Sequence, residues 1–159
     1  DYTASVLIGL TANNTFIVLH ALWVRKSARD VDTLIREIAE QDGKSVEVRS
    51  EQEPGGSGKR DVDHIRRNVL FEYDYKGIPS HGNKIERSRI PSTHVEAHNV
   101  EVLEAEWTEG FLDFMEAFPN SRVHDDIVDG FDGAMLCLLE KRAPSVRRFG
   151  RGNSGSEVA

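Results

Sequence analysis

Thr3-Ala4-Ser5-Val6-Leu7-Ile8-Gly9-Leu10-Thr11-Ala12-Asn13-Asn14-Thr15-Phe16-Ile17-Val18-Leu19, and the change of period that follows it, decide the architecture of this 159-residue chain. Tyr2 to Leu10 and Thr15 to Trp23 are apolar runs rich in β-branched and aliphatic residues, separated by the turn chemistry of Thr11-Ala12-Asn13-Asn14. Two such runs around an Asn-rich turn predict a β-hairpin. Beyond it, Val31, Leu34, Ile35 and Ile38 fall at helical spacing among Glu, Arg and Asp. That pattern predicts an amphipathic helix over Ala28 to Asp42, with Gly43 as its C-cap.

Further along, Val46 and Val48 alternate with charged residues in a predicted strand from Ser45 to Ser50. The Pro- and Gly-rich run Glu51-Gln52-Glu53-Pro54-Gly55-Gly56-Ser57-Gly58-Lys59 ends regular structure there. A helix is predicted over Arg60 to Val69, a strand over Phe71 to Tyr75, and a helix over Ile85 to Ala97 in which Pro91 must sit at a start or a break. A short strand at Val100 to Leu103, a threonine-capped helix from Thr108 to Ala117 and a last helix from about His124 to Lys141 complete the order. Strands alternating with helices imply an α/β layered domain with a central mixed β-sheet flanked by helices. The domain is expected over residues 1–142. The basic Gly/Ser/Arg-rich segment 143–159 has little to bury and is expected to be a disordered tail.

With 38% hydrophobic residues the chain can bury a single-domain core. No apolar run nears the length of about 18 residues that crosses a membrane, and no signal-peptide pattern opens the chain. The lone cysteine, Cys137, lies in an apolar helical stretch and reads as a small buried hydrophobe, which points to a reducing, cytosolic compartment. A net charge of −7 argues against coating nucleic acid by charge alone, although the stretch from Lys141 to Arg151 carries five basic residues and no acid.

Carboxylates concentrate at two element edges. Glu51 and Glu53 follow a predicted strand, and His124-Asp125-Asp126-Ile127-Val128-Asp129 opens a predicted helix. Acidic residues at such ends can be aimed into one pocket and hold hard cations. Ordinary explanations stand beside this: helix N-termini favour Asp through capping and the macrodipole, and Glu53 before Pro54 suits a solvated loop. A P-loop can be rejected for Glu53-Pro54-Gly55-Gly56-Ser57-Gly58-Lys59-Arg60, because Glu53 replaces the first glycine and Arg60 the hydroxyl residue. The glycines still permit a close approach of backbone and Lys59 to a DNA phosphate.

Taken in order, four segments resemble the C-terminal nuclease domain of phage terminase large subunits. They are Asp1-Tyr2-Thr3-Ala4, Glu51 to Lys59, Gly82-Asn83-Lys84 (with Asn83 departing from the family's Asp) and Phe118-Pro119-Asn120-Ser121-Arg122-Val123-His124-Asp125-Asp126-Ile127-Val128-Asp129. Trp107 followed by a helix completes that order. The resemblance implies an RNase H-like fold and a metal-dependent endonuclease that cuts double-stranded DNA during genome packaging, using two divalent ions (Mg²⁺ or Mn²⁺). It implies Glu51, Asp126 and Asp125 as catalytic carboxylates and metal ligands, Asp129 and Asp1 as further ligands, and Lys59, Lys84 and His124 as DNA contacts. The implied partners are double-stranded DNA, a terminase ATPase domain, the small terminase subunit and the portal, with no membrane, in the cytoplasm of an infected bacterial host.

One expected feature departs from the family pattern. The family's first catalytic aspartate lies on a strand before the Asp-Tyr-Thr segment, so that first strand is expected upstream of Asp1. Two alternatives stay open: a catalytically incomplete module that docks on DNA or a portal, and another RNase H-like nuclease such as a junction resolvase. The resolvase is disfavoured by the negative charge, and a docking module has no reason to converge Glu51 with Asp126.

Overall fold

The structure is a computed structural model that describes residues 2–120 and 124–142. Strands β1 (Thr3–Leu10) and β2 (Phe16–Val24) form the predicted antiparallel hairpin, from Thr3↔Val24 at the open end to Leu10↔Phe16 at the turn, with a bulge between Leu7 and Ile8. The turn closes because Thr11 accepts twice: its carbonyl from the Asn14 N–H and its hydroxyl from the Thr15 N–H. Asn14 takes the left-handed conformation (φ 65°) that asparagine tolerates. Helix α1 spans Ala28–Asp42, as its periodicity predicts, with Ser27 capping Asp30 and Gly43 returning a bond to Ala39. The other edge of β2 pairs in parallel with β5 (Val100–Val102), giving a mixed three-stranded sheet in the order β1-β2-β5.

The second sheet joins β3 (Val48–Gln52) in parallel with β4 (Tyr75–Pro79) through helix α2 (Gly56–His64) and a π-helical turn at Ile65–Val69. The α2 helix begins nearer β3 than the Arg60 start expected from the sequence. Gly58 makes that tight entry possible: a Cβ there would lie 2.1 Å from the Glu53 carbonyl oxygen. Gly77 on β4 meets Val62 of α2 just as closely, a Cβ falling 2.4 Å from a valine methyl. The predicted strand over Phe71 to Tyr75 starts only at Tyr75, because Arg36 of α1 organises the preceding residues as a turn. Its guanidinium donates to the Val69 carbonyl (3.0 Å) and to Glu72 (2.9 Å), and lies 5.4 Å from the ring centroids of both Phe71 and Tyr73.

Helix α3 (Lys84–Glu96) is opened by a reciprocal capping box between Asn83 and Glu86. It runs through the buried Pro91, where a start or break was expected; a proline inside a helix forfeits one backbone hydrogen bond, and here the chain stays helical. Helix α4 (Thr108–Ala117) has Trp107 at its cap position, while the Thr108 hydroxyl accepts from the Ala105 N–H and donates to the Leu103 carbonyl. Helix α5 (Asp126–Arg142) lies over β1 and reaches β2 and β3, so one helix covers both sheets. Its Gly130 rests against Val6 of β1, and its Lys141 pairs with Glu47 beside β3.

Two apolar clusters hold this together. One joins Phe16, Val18 and Ala21 of β2 to Phe111 of α4 and to Ile127, Val128, Phe131 and Met135 of α5. The other joins Ala39, Val62, Val69, Leu70 and Tyr75 beneath the second sheet. Each large side chain so buried contributes about 1.5–3 kcal/mol relative to exposure. The fold is α/β, with a mixed sheet flanked by helices, as the alternation of elements implies. No helix among the described residues is long and apolar enough to cross a membrane.

Candidate functional site

The site forms where the N-terminal half of α3 meets the N-terminal turns of α5 beside β3. Lys84 and Arg87 are three residues apart on α3, which puts them on one side of the helix. Asp125, immediately before α5, and Asp129 and Asp132 on it follow at i, i+4 and i+7, one stripe of the helix surface. The two stripes interlock. Lys84 Nζ donates to Asp125 Oδ1 at 2.7 Å and to Asp129 Oδ2 at 2.8 Å. Arg87 Nη2 lies 3.2 Å from Asp129 Oδ1 and 3.6 Å from Glu51 Oε1, so Asp129 and the β3 carboxylate share one guanidinium. Deeper in, the Ser88 hydroxyl donates to the buried Asp132 carboxylate.

Local physics accounts for each placement. Strand alternation sends Val48 into the second core and Ser50 to the Tyr75 hydroxyl (2.7 Å), leaving Glu51 on the opposite face, half exposed. Ile127, Val128 and Phe131 are buried in the first core, which anchors the start of α5 and holds its acidic stripe toward α3. The Asp125 carbonyl accepts the Asp129 N–H at 2.9 Å, so Asp125 does occupy a helix-start position; its side chain pairs with Lys84 as well. Around Lys84, partial burial lowers the ammonium pKa, but the hydrogen bonds it donates to Asp125 and Asp129, together with their negative charge, outweigh it and leave the pKa raised. Desolvation pushes Asp132 up to about 6, against the hydrogen bond from Ser88 and with a further upward push from Asp129.

The residues expected from the sequence fall into two groups. Glu51, Asp125, Asp129 and Lys84 meet in this network. Asp126 stands about a quarter-turn around the helix from the stripe and makes no side-chain ion pair among the described residues. Lys59 is exposed on α2, with no ion pair among the described residues. His124 sits with Tyr2 and Arg25: its ring meets the Tyr2 ring edge-on at 4.9 Å, and its Nε2 lies 3.2 Å from Arg25 Nη2. Asp1 lies outside the described residues. Arg87 and Asp132 were missed by sequence reasoning. The signal for both was helical spacing, Arg87 three residues after Lys84 and Asp132 three after Asp129.

The donor set consists of carboxylate oxygens, which suit hard divalent cations. A test of fit comes from Lys84 itself: Asp125 and Asp129 converge on one positive nitrogen within 2.8 Å, so the pair is already arranged around a cation. Among the described residues, no three acidic, histidine or cysteine side chains enclose a metal position. The basic side chains present, Lys84 and Arg87, are suited to phosphate oxygens.

Residues 1–137 match the family model described as the terminase RNaseH-like domain. No curated protein and no solved structure matches the chain.

Proposed function

The chain belongs to the terminase RNaseH-like domain family, and from that premise we propose that it is a metal-dependent endonuclease cutting double-stranded DNA during phage genome packaging. The observation that carries this is the ion network in which Lys84 and Arg87 link Glu51 of β3 to Asp125, just before α5, and Asp129 on it. It gathers carboxylates suited to divalent metal and basic groups suited to phosphate at one place, on a fold of the nuclease type.

In this proposal Glu51, Asp125 and Asp126 are the catalytic carboxylates that hold divalent cations, Mg²⁺ or Mn²⁺, with Asp129 and Asp1 as further ligands. When bound, two such cations supply Lewis-acid charge that activates water and stabilises the leaving oxygen of a phosphodiester. The chain's own groups bind and orient. Lys84 and Arg87 take phosphate oxygens, Arg87 also holds Glu51 against Asp129, and Lys59 and His124 extend the contact along the DNA backbone. Backbone contacts carry no sequence information, so little sequence preference is expected. The proposed nuclease domain spans residues 1–142, with the basic sequence 143–159 as a tail. The proposed partners are double-stranded DNA, an ATPase domain, the small subunit and the portal, in the cytoplasm of an infected bacterium.

The experiment is cleavage of supercoiled plasmid by the chain in Mn²⁺ or Mg²⁺, beside Glu51→Ala and Asp126→Ala. Nicking and linearisation that EDTA abolishes and both variants lose by about a hundredfold or more, the scale of removing a charge-stabilising group from an active site, is the expected result. Cleavage that survives EDTA or both substitutions contradicts the proposal.

A further inference from the structure

Lys84 is placed where a cation held by Asp125 and Asp129 would have to sit. Its nitrogen is 2.7 and 2.8 Å from one oxygen of each carboxylate. A divalent ion held by those same oxygens would have to compete with the ammonium for them. The two cations are therefore mutually exclusive at this position. Arg87 repeats the arrangement one turn along α3, its guanidinium between Asp129 and Glu51.

Both basic side chains are partly exposed, Lys84 more than Arg87. They can exchange carboxylate partners for another anion without leaving the site. We propose that Lys84, supported by Arg87, is an internal counter-ion that keeps the acidic site closed to divalent metal until a DNA phosphate draws the ammonium away. This rests on the nuclease proposal and adds its regulation: metal loading and DNA binding are coupled through one side chain. A resting protein then carries little metal and cuts little, while phosphate at Lys84 frees Asp125 and Asp129 together. Thermodynamic linkage makes the effect reciprocal, each ligand strengthening the other by the same factor.

The test is Mn²⁺ affinity of the full chain without DNA, read from loss of the free-ion electron paramagnetic resonance signal. Lys84→Gln, Lys84→Met and Lys84→Arg are compared with the parent, and a thermal melt establishes that each is folded. The expected result is binding about tenfold tighter in Lys84→Gln and Lys84→Met, within the usual range for coupled sites, with Lys84→Arg close to the parent. Duplex affinity in EDTA, read by fluorescence anisotropy, should fall in Lys84→Gln and be retained in Lys84→Arg. Mn²⁺ affinity that is unchanged or weaker in folded Lys84→Gln and Lys84→Met, but still lost in Asp129→Ala, overturns the counter-ion role and leaves the nuclease proposal standing. Absence of Mn²⁺ binding in the parent and in every variant overturns both.

Discussion

Asp132 shows how one side chain can report on the site. It is buried under α3, takes a hydrogen bond from Ser88, and lies near Asp129 and Arg87. Desolvation raises its pKa to about 6 in the folded protein, against about 3.9 in an unfolded chain. The folded state therefore binds this proton more tightly than the unfolded state. Below about pH 4 both states are protonated; as pH rises through about 6 the folded protein must ionise a buried acid, and stability declines across that window. A two-unit difference corresponds to at most about 3 kcal/mol. Asp132→Asn keeps an acceptor for Ser88 and removes the titration. Urea unfolding from pH 4 to 7 should then show the variant gaining on the parent as pH rises. A constant difference between the two across that range would mean that Asp132 does not titrate there.

At the scale of elements, close approach between α2 and the β3-β4 pair is the feature most exposed to mutation. Gly77 on β4 faces the Val62 methyls so closely that an added Cβ would lie 2.4 Å from one of them. Gly77→Ala should cost about 1–3 kcal/mol by overpacking, and Val62→Ala in the same chain should recover part of that loss. Urea midpoints of the two single variants and the double variant measure the coupling; strictly additive losses would place the clash elsewhere. The elements themselves were largely legible. The hairpin, α1 and α4 carry unbroken periodicity, and their spans follow it. The sequence misplaced β4 because Phe71, Tyr73 and Tyr75 alternate as in a strand, whereas Phe71 and Tyr73 flank a guanidinium from a distant helix. Pro91 likewise looked like a break, yet it lies buried within α3. The site was half legible: acidic clusters mark Glu51 and the start of α5, but which aspartates share a stripe, and that α3 lies against it, depend on tertiary packing.

For the whole molecule, α5 is the element that relates sheet to site. Its apolar side carries much of the first core, its far end ties to Glu47, and its acidic stripe meets α3. An excess of acid over base, 27 against 20 residues, makes local placement of cations more important than overall attraction to DNA. Lys84 and Arg87 supply that placement at the proposed metal site. Membership of the terminase RNaseH-like family sets the fold, and the proposed nuclease requires that Glu51 and the aspartates at the start of α5 surround common metal. Affinity cleavage distinguishes the outcomes: Fe²⁺ is loaded in place of Mg²⁺ with duplex DNA present, and ascorbate with peroxide generates radicals that cut the protein backbone beside the bound iron. Cuts near Glu51 and near Asp125–Asp129 are expected in the same sample, both suppressed by excess Mn²⁺. Cuts at only one of these segments, cuts elsewhere, or cuts that Mn²⁺ leaves unchanged would contradict the proposal.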